Sequence, residues 1–352
     1  MGIVIAIIIF GVIVTVHEFG HFIAAKLSGI RVLEFSVGMG PRLFKFGKGE
    51  TVYSLRLLPI GGFCSMEGED ESSEDSQSFR SQSVWKRIIV LFAGAFMNFV
   101  LGFILVLIMT MMSKSVPTME IKGFTGNRND DGTVEYMSGS YDGGLRQGDI
   151  IVEIDGMHVF STTDLSYKLG STKSNTHELE VERDGEKIIL EDVEFKNKID
   201  GSVLDFGLVY QEKTIGNVIE YSAKDCVAIG RLVWMSLYDL VTGKYGAKEI
   251  SGPVGVVTTI DQTAKQGENV RETILSLLYM TALITINIGI FNLLPIPGLD
   301  GGRLLFCLIE IIRRKPVKPE HEGYVHLAGM VLLFGIMIFA TYNDIVRLIT
   351  GG

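Results

Sequence analysis

Residues 14–26 read VTVHEFGHFIAAK and bring His17, Glu18 and His21 within five positions. On a helix, residues i and i+4 share a face, so two imidazoles at this spacing can hold one metal ion, and Glu18 beside the first can take a proton from water. Two histidines leave such a centre incomplete, because catalytic zinc takes three protein ligands and keeps one open position. An ion held there lowers the pKa of water and polarises a carbonyl, with Glu18 as general base and then acid, which is the chemistry of peptide-bond hydrolysis. Average residue usage produces His-Glu-x-x-His by chance in about one chain in a hundred of this length, so its placement matters more than its occurrence. The fifteen residues Gly2 to Val16 carry no charge, and a charged group inside a membrane span costs about 2.5–3.5 kcal/mol on insertion scales. Metal coordination would offset that cost. Two other readings stand beside it: a trio of interhelical hydrogen-bonding residues, or the proton relay of a transporter.

The third ligand is expected from another apolar block. The suitable carboxylate is Asp300, in NIGIFNLLPIPGLDGGRL at 287–304. Pro295, Pro297 and Gly298 break the helix before it, so Asp300 is expected on irregular backbone, which membrane depth tolerates only inside protein or beside a watery cavity. A simple turn at the cytoplasmic end of a span fits the local residues equally well. It leaves unexplained why this carboxylate ends at the depth of His17 and His21.

The elements that position these groups are apolar blocks at 1–27, 88–112 and 274–298, with a fourth at 325–349 that is interrupted by His326, Asp344 and Arg347. Each is long enough to cross about 30 Å of hydrocarbon as a helix. The first lacks a basic n-region and a small-residue cleavage site and is expected to be retained. Arg31, Arg42, Lys45, Arg56 and Arg87 fall in the first connection, 28–87, and Arg303, Arg313, Arg314 and Lys315 in the last, 299–324. Both connections therefore face the cytoplasm, and 113–273 lies outside. The net charge is −9, six acids crowd into Glu67 to Asp75 as a solvated loop, and no basic stripe points to nucleic acid. Cys64, Cys226 and Cys307 are isolated thiols suited to core packing.

In the first connection, 42–46 and 51–58 flank the turn GKGE and read as a β-hairpin within about 38–63. Leu43, Phe44, Phe46, Leu57 and Leu58 exceed what a solvated hairpin needs, so it either lies against the membrane or forms a small soluble sheet. Outside, residues 119–197 combine GLRQGD, an apolar strand, an IDG turn, a short helix and alternating strands, a pattern that resembles a PDZ domain; a β-rich spacer is the simpler reading. Within 198–273, residues 215–245 carry apolar groups at helical spacing, an amphipathic helix ended by ISGPVGVVTTI.

HEFGH in the first span, the distal NLLPIPGLDGG, a PDZ-like insert and four spans together resemble the site-2 proteases, the intramembrane zinc metalloproteases of peptidase family M50, of the bacterial regulator-of-sigma-E type with a single PDZ domain. The resemblance implies an α-helical polytopic membrane protein with four transmembrane helices, a cytoplasmic membrane-associated β-hairpin and an extracytoplasmic PDZ domain, in the bacterial cell membrane. It implies one zinc ion held by His17, His21 and Asp300, with Glu18 activating water. It assigns Asn292 and Pro295 to substrate handling, although Asn292 suits a helix–helix hydrogen bond comparably. The family's second-span motif, Ala-Gly-Pro-x-x-Asn, reads AGAFMN at 93–98, with Ala95 in place of proline and Asn98 retained beside the metal.

The expected partners are the lipid bilayer and transmembrane substrates, anti-sigma factors or remnant signal peptides, and nothing in the sequence sets an oligomeric state. A substrate helix must unwind before cleavage, and lipid offers its backbone no replacement partners. The hairpin at 42–58 is expected to present an edge, around Tyr53 and Leu55, to which the unwound segment adds as a strand. The PDZ module is expected either to exclude bulky ectodomains or to bind peptide. A proton or ion transporter built on His17, Glu18 and Asp300 and an inactive PDZ scaffold are the rival readings.

Overall fold

Long apolar runs become helices in a membrane because a helix satisfies its backbone within itself. In the computed structural model, which describes residues 2–47, 49–69, 73–124, 126–128, 134–136, 138–171, 174–195, 204–244, 251–267 and 269–350, the first such run is α1 (Gly2–Leu27). It is followed by β1 (Val32–Phe46), β2 (Val52–Met66) and α2 (Val84–Met112). The middle of the chain holds β3 (Val116–Phe124), β4 (Gly126–Arg128), β5 (Val134–Tyr136), α3 (Gly139–Asp142), β6 (Ile150–Ile154), β7 (Met157–His158), α4 (Thr162–Ser171), β8 (Thr176–Arg183), β9 (Glu186–Glu194) and β10 (Phe206–Gln211). Then come α5 (Ile215–Val241), α6 (Pro253–Gln266), α7 (Val270–Leu293), α8 (Asp300–Arg313) and α9 (Pro319–Thr350). Four helices among the described residues are long and apolar enough to cross a membrane: α1, α2, α7 and residues 320–350 of α9. The protein is a polytopic membrane protein with a β-sheet region. The chain divides into two units, residues 1–105 with 236–352, and residues 106–235.

In the first unit, β1 and β2 pair antiparallel, but each strand bends, so the sheet is wider than a hairpin. Val37 pairs with both Gly62 and Leu55, and Leu55 pairs with both Val37 and Phe44. The segments therefore lie in the order 62–66, 32–37, 52–55, 44–46. This corrects the expected edge: Tyr53, Ser54 and Leu55 have partners on both sides, so the segment expected to receive a substrate strand is interior. The open margins are 44–46 and 62–66. The turn residue Lys48 lies outside the described residues. Phe44, Phe46, Leu57, Leu58 and Ile60 are all exposed. The carbonyl of Pro59 lies 2.7 Å from where a side chain on Gly11 would begin, so the bend of β2 reaches the middle of the first apolar helix.

The third apolar block breaks before Asp300, where Pro295, Pro297 and Gly298 were expected to break it. α7 stops at Leu293, two residues before Pro295, because proline cannot supply the next helical N–H. Residues 294–299 form a turn, and Asp300 opens α8 with Leu299 at the N-cap. Asp300 is therefore the first residue of a helix rather than part of irregular backbone. The positive end of the helix dipole favours a carboxylate there. Asp344, the other ionisable group expected to disturb the last span, accepts hydrogen bonds from the N–H groups of Gly252 (3.1 Å) and Gly255 (2.7 Å) at the start of α6.

In the second unit the sheet runs β10-β3-β6-β8-β9, with β7 paired to β6. Leu145 of GLRQGD is fully buried with Ile121, Ile151, Leu165 and Phe195. Asp149 of the same motif is buried and accepts from Arg183 Nε at 2.6 Å. Strand β10 pairs with β3 across Phe206–Phe124 and Tyr210–Pro117, so the sheet begins before residue 119 and ends beyond residue 197. α5 is tied to α4 by Arg231–Asp164 at 2.5 Å and by Ser161 and Thr163, which both donate to Asp225 at 2.7 Å. Burial pushes the Asp225 carboxyl above its ordinary value, against the pull of those two hydroxyls.

Asp344 holds the buried N–H of Gly252 and the half-buried N–H of Gly255, which lipid cannot satisfy. Asp344→Ala should destabilise the first unit by about 1–3 kcal/mol, read as a lowered midpoint in detergent melting, and Asp344→Asn should lose less. Unchanged melting of the alanine variant would refute this role.

Candidate metal centre and active site

The i, i+4 spacing of α1 turns both imidazoles toward α2, and the turn after α7 delivers the carboxylate. His17 Nε2 lies 3.1 Å from Asp300 Oδ2 and 3.1 Å from His21 Nε2, and His21 Nε2 lies 3.3 Å from Asp300 Oδ2. Ligands about 2.0–2.1 Å from a tetrahedral zinc stand about 3.3 Å from one another, so three atoms at these separations fit one ion. His17 and His21 are buried, and the three residues form a group whose ligand atoms could hold a metal.

The far sides of the rings agree with that fit. His21 Nδ1 donates to the carbonyl of Val90 at 2.8 Å, which leaves the Nε2 lone pair for a metal. His17 Nδ1 meets the amide of the fully buried Asn98 at 3.3 Å. Asn98 Oδ1 has no hydrogen-bond partner in the present orientation. Turning the amide brings that oxygen to His17 Nδ1, where it accepts the proton that a metal on Nε2 would leave there. Such outer partners fix ring orientation and raise ligand basicity.

Glu18 points to the other wall. Its Oε2 accepts from the N–H of Cys64 at 3.0 Å, so the open margin 62–66 of the sheet lies beside the carboxylate. His17, Glu18, His21, Phe63, Asn292 and Asp300 all line one cavity of about 800 Å³. Of the residues expected from the sequence, Asn292 thus faces the site and Asn98 touches a ligand. Pro295 is exposed in the turn and is not among the cavity-lining residues. α2 runs unbroken through Ala95, so no distortion accompanies the missing proline.

Two contacts escaped the sequence reading. A side chain on Gly94 would begin 2.4 Å from His21 Nε2 and 2.8 Å from His17 Cε1. Gly20, inside HEFGH, would begin one 2.3 Å from the carbonyl of Ala93. Only glycine lets α1 and α2 approach this closely. Both stand in quoted motifs, but a glycine in a helix carries no label for what it faces. The third missed group is the Cys64 N–H, a backbone donor with no side-chain signature.

The fold and the site are those of a polytopic membrane protein in which His17, His21 and Asp300 form a group that could hold a metal ion beside the Glu18 carboxylate. Comparison with known proteins agrees. A family model described as peptidase family M50 matches residues 5–336. The chain is 36% identical over 350 residues to a putative zinc metalloprotease of Clostridium perfringens, covering 98% of this chain and 99% of the relative. It is 32% identical over 428 aligned positions to the regulator of sigma-W protease RasP of Bacillus subtilis, covering 97% of each. It is also 32% identical over 425 positions to the zinc metalloprotease RasP of Bacillus licheniformis, covering 97% of this chain and 98% of that one. The chain belongs to peptidase family M50, the site-2 proteases, and is a membrane zinc metalloprotease.

The tight approach at Gly94 generates a steric test. Gly94→Ala should lower the zinc content of the purified protein at least tenfold while membrane insertion is unchanged, as measured by metal analysis of the detergent-solubilised chain. Full zinc occupancy in that variant would show that the helices part without cost.

Proposed function

We propose that this protein cleaves transmembrane segments of membrane-anchored substrates, with His17, His21 and Asp300 holding one zinc ion and Glu18 as general base and acid. The observation that carries the reading is the convergence of three ligand atoms within 3.1–3.3 Å beside Glu18, on helices of membrane-spanning length. A bound zinc would supply Lewis acidity to water and to the scissile carbonyl. The chain's own residues do the rest. Glu18 takes a proton at one carboxylate oxygen while the Cys64 N–H holds the other in place. The Asn98 and Val90 contacts keep both imidazoles facing inward. Asn292, on the cavity wall, is placed to donate to the substrate backbone or to developing negative charge.

The exposed apolar strands and the Pro59–Gly11 contact support a sheet lying in the membrane beside α1. The margin 62–66 has no strand on its outer side among the described residues and lies next to Glu18, which accepts from its Cys64 N–H; an unwound substrate segment adds there as a strand, displacing side-chain partners of that margin. The expected orientation, with the basic connections in the cytoplasm of a bacterial cell, puts the site toward the cytoplasmic side. The relative from Bacillus subtilis is named for regulation of sigma-W, which favours membrane-anchored anti-sigma factors as substrates over remnant signal peptides. The antiparallel sheet of the second unit and its GLRQGD turn support a PDZ-type module on the outer side that excludes uncut ectodomains.

Zinc content and cleavage of a membrane-anchored model substrate separate this reading from a transporter relay and from an inactive scaffold. Glu18→Gln should retain zinc and lose cleavage by about 10²–10⁴-fold. No zinc in the parent, or undiminished cleavage in the variant, would sink the proposal.

The strand-addition step has its own test in a Glu18→Gln background whose native cysteines are replaced by serine. A cysteine at Ser65 should cross-link to a cysteine near the scissile bond, and one at Lys45, on the opposite margin, should not. Equal cross-linking at both would place the substrate elsewhere. For the outer module, the deletion must span 116–211 so that β3 and β10 leave together; it should permit cleavage of substrates with intact ectodomains. Loss of all cleavage, with zinc retained, would rule out a filter.

A further inference from the structure

His326 is an ionisable residue in an otherwise apolar stretch of α9, and the reaction described above assigns it no part. An ionisable side chain in a span is costly enough to need a specific partner. Its partner is the backbone: the Gly298 N–H donates to His326 Nδ1 at 2.9 Å. Because Nδ1 accepts, the ring is neutral and carries its proton on Nε2. The ring also packs on Phe306 of α8 at 5.9 Å between centroids, and His326 lines the same cavity as the metal-ligand group.

Gly298 stands two residues before Asp300. The turn that carries it contains Pro295 and Pro297, which have no N–H, and Gly298 itself has φ +97°, a conformation that glycine alone adopts without strain. Within the turn, Ile296 donates to Leu294 and Leu299 donates to Ile296. The Gly298 N–H goes outward to α9. One turn further along α9, Gly329 approaches so closely that a side chain there would begin 2.0 Å from the carbonyl of Pro297. Met330, beside it, lies 3.2 Å from where a side chain on Gly298 would begin. Residues 326, 329 and 330 share one face of α9, so this helix acts as the backing plate of the turn and His326 supplies its hydrogen bond.

We propose that His326 is a positioning residue for Asp300: its Nδ1 holds the Gly298 N–H, sets the turn, and so fixes the carboxylate at the distance from His17 and His21 that one zinc ion requires. This rests on the reading of those three residues as the zinc ligands. A ligand set must be held to within about 0.5 Å, and two of the six turn residues, Pro295 and Pro297, have no N–H with which to brace the turn from within.

The geometry of the acceptor makes the proposal testable. The Oδ1 of asparagine stands where Nδ1 stands in histidine, whereas the polar end of glutamine reaches the position of Nε2. The experiment uses the purified full chain in detergent and measures zinc affinity by chelator competition, with melting of the zinc-free protein in parallel. His326→Gln and His326→Ala should weaken zinc binding about 10–100-fold, the usual cost of removing an outer partner. His326→Asn should stay within about threefold of the parent, and zinc-free melting should be similar for the asparagine and glutamine variants. Parent-like zinc affinity in the glutamine variant, or equal loss in the asparagine and glutamine variants, would overturn the proposal even if the alanine variant does not fold. Zinc bound normally by the parent, with either of those results, leaves the protease reading intact. A parent without zinc removes both.

Discussion

Two imidazoles on an apolar helix and a carboxylate at the start of α8 are drawn together, and lipid beside such a helix cannot solvate them. Each must find compensation from protein or from a shared ion. Most of the first unit reads as a consequence of that demand. The rings of His17 and His21 are fixed from behind by Asn98 and by the carbonyl of Val90, so both present Nε2 to one point. α2 must approach to touching distance, which a glycine at 94 permits. The carboxylate must arrive at the same point from another helix, which the break after α7 and the start of α8 at Asp300 achieve.

The same constraint governs the approach of a substrate. A helical peptide offers no reactive carbonyl geometry and no free backbone donors, and lipid rewards it for staying helical. The sheet whose bend reaches Gly11 of α1 brings backbone donors and acceptors beside an apolar helix. Its bent strands make the difference: the interior segment 52–55 is saturated, while 62–66 keeps one side open toward Glu18. The N–H of Cys64 holds one oxygen of the Glu18 carboxylate against that margin.

The second unit rests on different physics. Its core is a soluble-type sheet closed over Leu145, Leu165 and Phe195, with the Asp149–Arg183 pair explaining the last residue of GLRQGD. A buried carboxylate, Asp225, is held by two hydroxyls rather than by a cation. The hydroxyls of Ser161 and Thr163 tie the start of α4 to α5.

The sequence by itself determined the apolar helices, the motifs that carry the candidate metal group and the pairing of HEFGH with a distant Asp300. Each of these depends on residue type and local spacing: apolar length sets a span, and i, i+4 sets a face. It did not determine what those motifs touch. The margin expected at Tyr53 and Leu55 proved interior because the pairing partners of a bent strand are separated by more than a hairpin's length. Asp300, expected on irregular backbone, opens a helix, because the chain resumes helical geometry directly after the turn at Leu299. The contacts of Gly94, the Cys64 N–H and His326 were decided only by the tertiary structure. A glycine is silent about its neighbour, a backbone N–H is the same at every residue, and a lone histidine in an apolar helix does not name the atom placed 2.9 Å away.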